Sequence, residues 1–267
     1  MARKFTIFFL AMLLALSLTA CGNEKGSDVS DEQNGNSFST ENENSNQAAV
    51  TAQYTVGDIV LADGSIAKAE SLTALDRGDA PVAVIAGFRD DGAAFGVGVH
   101  RSDQPLPWAL EDTTGYGMKF VDTVCTQNTD QSFSGDTDGS DNWSKMCAAD
   151  SDGTANAENN YPVFHFVNTY ADTYGLTGAY ASGWYMPSIA ELSSVYENRD
   201  AINASLAKIY ELDHSAAMNG LTTNWYWSSS QADSEDDYAW FVHFFNGYAG
   251  ECPKNFTNVH VIAIRDF

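Results

Sequence analysis

The stretch YAWFVHFF, Tyr238 to Phe245, limits what this chain can fold into more than any other. Successive side chains of a strand point to opposite faces, which sets Trp240, Val242 and Phe244 on one side and Phe241, His243 and Phe245 on the other. Both sides are heavily aromatic. Such a strand belongs to a sheet that either is covered on both faces or leaves one aromatic face bare for a partner. On a chain of formal net charge −23, a bare aromatic face would be a gripping surface.

Residues 1–20 stand apart from any fold. MARKFTIFFLAMLLALSLTAC has a basic start at Arg3 and Lys4, an apolar run from Phe5 to Leu18 and a small-residue cleavage site, the build of a secretion signal. The run is shorter than the roughly 20 apolar residues of a spanning helix, and a polar segment follows it. Its ending, LTAC at Leu18 to Cys21, resembles the lipobox of bacterial lipoproteins. That resemblance implies acylation of Cys21 and a mature chain anchored to a membrane through its lipids, at the outer membrane or cell surface. Residues 21–50, rich in Asn, Ser, Glu and Gly, cannot bury enough surface to offset their chain entropy and are expected to form a flexible tether. What remains, residues 51–267, is about 215 residues long, within the range of one domain with its own core.

Loss of Arg3 and Lys4 with the signal leaves eleven basic residues against thirty-six acids, a mature net charge of −25. That balance excludes nucleic acid as a partner. Acidic runs such as SEDDY and DTDGSDNW suit a solvated surface.

Short strands are expected first, in YTVGDIVLADGS, PVAVIAGF and AAFGVGVH. The middle turns helical: Val163, Phe166, Val167, Tyr170 and Tyr174 fall at helical spacing. Ser188 and Glu191 form a capping box ahead of Ile189, Leu192, Val195 and Tyr196, and a further helix carries Ile202, Leu206 and Ile209. Strands return in NWYWSSS, YAWFVHFF and VHVIAIRDF. The fold class is α+β, with short strands, two or three helices and long loops.

The order GWYMPSIAELSSVY, YWSSS, AWFVHFFNG, a lone Lys254 and a closing VIAIRDF resembles bacterial C-type-lectin-like domains, the fold shared with formylglycine-generating enzymes and with the carboxyl domain of collagen-like adhesins. Within that group the chain is most similar to the variable lipoproteins of spirochaetes, those of Treponema among them, whose ends are rewritten by diversity-generating retroelements. The resemblance implies a variable region over about 225–267, in which template adenines are copied with errors. Trp240, Val242, Phe244, Gly247 and Lys254 match the fixed pattern. Phe241, His243, Phe245, Tyr248, Ala249, Cys252, Pro253, Phe256 and His260 stand at varying positions, and all are reachable from an AAC codon by changing its adenines. The same resemblance adds Trp225, Ala232, Asp237 and Gly250 to the ligand-binding set. Phe241, Phe245, Tyr248 and Phe256 are the expected anchors, since aromatic rings bring contact area with few rotors to freeze. The bland alternative is that a loop or helix covers this face and makes both sides core.

Apart from Cys21 the chain has Cys125, Cys147 and Cys252, an odd number for an exported protein. Cys125 and Cys147 flank a polar loop that one disulfide would close, leaving Cys252 a free thiol. Formylglycine-generating enzymes use paired cysteines near the carboxyl end; this chain has Cys252 alone there, so the resemblance implies no catalysis. Asp136, Asp138 and Asp141 alternate around a glycine as in calcium loops, although Asp-Gly pairs are also ordinary turn formers. Calcium is thus a weak candidate and no other cofactor is expected. The expected protein is a monomeric, non-catalytic surface lipoprotein that binds a protein or cell-surface ligand. The alternative is a fixed adhesin or structural envelope lipoprotein without diversification.

Overall fold

The computed structural model describes residues 53–75, 80–89 and 91–267. The expected signal, Cys21 and the tether lie outside the described residues. The domain holds two five-stranded sheets. The first has the order β10-β4-β3-β1-β2, built from β1 (Ile59–Leu61), β2 (Ile66–Ala67), β3 (Pro81–Phe88), β4 (Ala94–Arg101) and β10 (Ile262–Asp266), all antiparallel. The second has the order β6-β5-β7-β8-β9, built from β5 (Val124–Gln127), β6 (Phe133–Gly135), β7 (Trp225–Ala232), β8 (Tyr238–His243) and β9 (Tyr248–Pro253). Only the β5–β7 pair is parallel.

Seven α-helical segments join the described strands, more than the two or three expected. They are α1 (Asn142–Ala149), α2 (Ser151–Thr154), α3 (Ala157–Asn160), α4 (Pro162–Asn168), α5 (Tyr170–Thr173), α6 (Ile189–Glu197) and α7 (Arg199–Leu212). Three of them, α2, α3 and α5, are single turns. The helical run after Tyr161 divides at Thr169, whose hydroxyl bonds the His165 carbonyl at 2.8 Å. Val163, Val167 and Tyr170 are buried there as their spacing implies, with Phe164 inside in place of Phe166. The capping box of α6 is present: Glu191 N–H donates to Ser188 Oγ at 3.2 Å and Ser188 N–H to Glu191 Oε2 at 2.8 Å. Ile189, Leu192 and Val195 of α6 and Ile202, Leu206 and Ile209 of α7 are fully buried.

These helices settle what covers the aromatic strand. Trp240, Val242 and Phe244 pack in one core cluster with α6 and α7. Ala239 and Phe241 pack in a second, with Trp227, Trp108, Tyr161, Phe164 and Met146 from the α1–α4 side. Strand β8 is therefore core on both faces along most of its length. Phe241, expected on a bare face, is 3% exposed, which corrects that expectation. Ala232 is likewise fully buried, at the β7 end that pairs with Cys125.

Candidate ligand-binding surface

The bare region begins where the second core runs out. Cross-strand register sets two rows of side chains on one face of β7, β8 and β9: Trp227, Phe241 and Gly250 in the inner row, Trp225, His243 and Tyr248 in the outer. The inner row is buried and the outer row forms a rim. The β8–β9 turn adds Phe245, 70% exposed, next to Tyr248 at 60%; the following loop adds Phe256 at 37%. Stacking joins these rings into one surface. Trp225 lies flat on Phe241, centroids 4.5 Å apart and planes 4° apart, with His243 at 5.4 Å and Phe256 at 5.8 Å. Tyr248 meets Phe241 edge-on at 6.2 Å, and Phe245 lies 6.0 Å from His243.

Two glycines permit this. A Cβ on Gly250 would stand 2.5 Å from the Tyr248 ring and 2.9 Å from that of Phe241, so its missing side chain is what lets those rings meet. Gly247 turns the hairpin at φ 76°, and a Cβ there would lie 2.3 Å from the Tyr196 ring.

Lys254 fixes the loop behind the rim. It is fully buried, and its ammonium donates to the carbonyls of Gly115, Tyr116, Met118 and Asp236 at 2.7–3.1 Å. The rings of Trp108 and Phe120 flank it at 5.0 and 5.5 Å. Burial pushes its amine down to about 7, against the pull of Asp237 and Asp236.

Other expected positions lie elsewhere. Ala249 turns toward the first core cluster, opposite Val242. Asp237 is half-buried at the far end of β8, its carbonyl accepting the Lys254 N–H at 2.8 Å. Pro253 ends β9 there. Cys252 packs against the second cluster, and burial pushes its thiol up to about 12. His260 lies beside β7, its N–H donating to the Trp225 carbonyl at 2.8 Å, but its ring turns to other partners: Nδ1 lies 2.7 Å from Arg101 Nη1 and 3.0 Å from the Ser102 carbonyl, and burial lowers its pKa.

The expected disulfide is absent, since Cys125, Cys147 and Cys252 are all free thiols. Cys125 is buried in the sheet, where its Sγ donates to the Asp136 carbonyl, while Cys147 stands half-buried on α1. The calcium candidates are turned onto cations of the chain itself. Asp136 and Asp141 pair with Lys145 at 3.2 and 2.8 Å, and Asp138 pairs with Arg89 at 3.1 Å. Among the described residues no group of three or more His, Cys, Asp or Glu side chains is arranged to hold a metal.

Residues missed by sequence reasoning are those acting over long separations, above all Arg89, which joins Asp138 of a loop, Glu191 of α6 and Asp266 of β10.

Among the described residues no helix is long and apolar enough to cross a membrane. Comparison with curated proteins gives no match. Among solved structures, a fimbrial protein from Bacteroides ovatus ATCC 8483 superposes with a TM-score of 0.55 at 11% identity, over 80% of this chain and 49% of that one. The chain thus spans about half the length of that protein, and the likeness is one of fold. Residues 136–265, just under half of the chain and the whole of the aromatic rim, match the family model of the Lcl C-terminal domain.

Proposed function

We propose that this protein is a non-catalytic, ligand-binding surface lipoprotein whose carboxyl half is a C-type-lectin-like domain presenting the aromatic rim. One observation supports this most. Of the large apolar side chains exposed among the described residues, Phe245, Tyr248 and Phe256 gather at one corner, joined to Trp225 and His243, on a sheet otherwise covered on both faces. Exposed rings held rigid by a core beneath them have the character of interface anchors. The match to the Lcl C-terminal domain falls on the same segment and agrees with a surface-binding role. The half-buried, weakly acidic thiol of Cys252 makes a poor nucleophile, which favours binding over chemistry.

In this account acyl chains on Cys21 anchor a monomer to the membrane, residues 21–50 act as its tether, and the partner is a protein or cell-surface ligand. The rim varies by retroelement-driven rewriting, as in the treponemal variable lipoproteins the chain resembles. The varying positions that matter for contact are then Trp225, His243, Phe245, Tyr248 and Phe256. The DNA around the gene tests the diversification. A near-copy of the segment encoding residues 225–267, differing mainly at adenines and lying beside a reverse-transcriptase gene, is the expected finding. A locus with neither would leave a fixed adhesin.

A further inference from the structure

A cleft of about 420 Å³ opens between the end of β4, the residues just after α7 and the loop that leads into β7. Arg101, Ser102, Asp103, His214, Asn219 and Thr222 line it. The aromatic rim makes no use of it.

One of its side chains is unusual for so acidic a chain. Acids outnumber bases thirty-six to thirteen overall, yet among the described residues no carboxylate lies within 4.0 Å of the Arg101 guanidinium. Arg101 is half-buried at the end of β4. Its Nη1 donates to the Ser102 carbonyl at 3.1 Å and touches His260, and its other nitrogens have no hydrogen-bond partner among the described residues. An arginine held in place without an acid is a vacant fork for a planar, two-oxygen acceptor.

Tyr226 supplies an independent observation. The residue is fully buried, and its hydroxyl has no hydrogen-bond partner. Its neighbours are Arg101, the Thr222 hydroxyl and N–H, and the Asn224 side chain. Donors converge on this point, and among the described residues no carboxylate pairs with the Arg101 guanidinium beside it. Buried polar groups are almost always paired, so an orphan hydroxyl beside an unpaired guanidinium marks a place built around an acceptor.

We propose that this cleft binds a carboxylate-bearing small ligand, its two oxygens held by Arg101 and the Thr222 hydroxyl, with Tyr226 beneath. Thr222 is exposed and can give way as the ligand enters. A single negative charge suits the site better than a phosphate. Asp103 stands at the cleft, and the carboxyl end of α7, the negative end of its dipole, closes one side.

The test uses the mature chain with sodium acetate and N-acetylglycine as probes, followed by thermal melting at constant ionic strength, with chloride and inorganic phosphate as controls. A saturable rise is expected for the carboxylates, about 3–5 °C at ten times the dissociation constant. Chloride should give none, phosphate less. Arg101→Gln should abolish the rise. Tyr226→Phe removes the orphan hydroxyl and should melt no lower than the parent, yet bind the carboxylates more weakly. Phe245→Ala should leave the rise intact, which separates this site from the rim. No saturable rise in the parent, an equal rise in Arg101→Gln, or phosphate binding more tightly than either carboxylate would overturn the proposal.

Discussion

Lys254 shows at the scale of one residue how a single side chain can hold a loop. An ammonium has three N–H donors, and here four carbonyls from two distant segments surround it with no carboxylate in contact. Lys254→Met keeps the length and apolar bulk but orphans those carbonyls, and should cost about 2–4 kcal/mol in denaturant melts. Its titration carries a definite sign. The folded amine lies near 7 and the unfolded one in the ordinary lysine range, so between those values the unfolded chain binds the additional proton. The Lys254 contribution to stability should therefore rise as pH goes from about 7 to about 10 and be flat below. The difference between parent and Lys254→Met, followed across that window, reads it directly. A difference that shrinks with rising pH would mean that the carbonyls, and not burial, govern the proton. Lys254 was visible in the sequence as a lone fixed residue. Its partners were not, because backbone carbonyls at 115–118 leave no trace in residue type.

Strand β8 shows what period-two patterning can and cannot tell at the scale of an element. The alternation separated Trp240, Val242 and Phe244 from Phe241 and His243 correctly, and the capping box located the start of α6. Periodicity cannot say what covers a face. Phe241 is core because Trp227 and the α1–α4 side close over it, and those residues lie far away in sequence. An alanine scan should accordingly show Phe241→Ala costing about as much as Trp240→Ala, roughly 3–5 kcal/mol, while Phe245→Ala stays within about 1 kcal/mol. A stable Phe241→Ala would place that ring outside the core. Gly247→Ala should also destabilise by more than about 1 kcal/mol, since its φ is positive and the Tyr196 ring leaves no room. Strand β9 escaped sequence reading because YAGECP has neither alternation nor β-branched residues; its register comes from pairing with β8 and from the Gly247 turn.

At the scale of the molecule, the α+β class and the order of strands, helices and strands were legible, because long apolar runs and caps are local signals. The split of the sheets into two cores was not, nor were the single-turn helices, whose stability comes from packing. The same limit explains the site. Resemblance marked thirteen contact positions, and the structure gathers five of them into the rim, with Phe241 and Gly250 beneath as its floor. Anchoring can be tested in cells: Cys21→Ala should abolish palmitate labelling and leave the protein misprocessed, and equal labelling of both forms would defeat the lipid anchor.

The central claim is that the rim binds and the core beneath it only supports. Binding of the fluorescently labelled mature chain to intact cells, compared with a Phe245→Ser, Tyr248→Ser, Phe256→Ser variant shown by denaturant melting to be as stable as the parent within about 1 kcal/mol, tests this most directly. A loss of binding of more than about tenfold at unchanged stability is the expected result. Undiminished binding by the triple variant would contradict it.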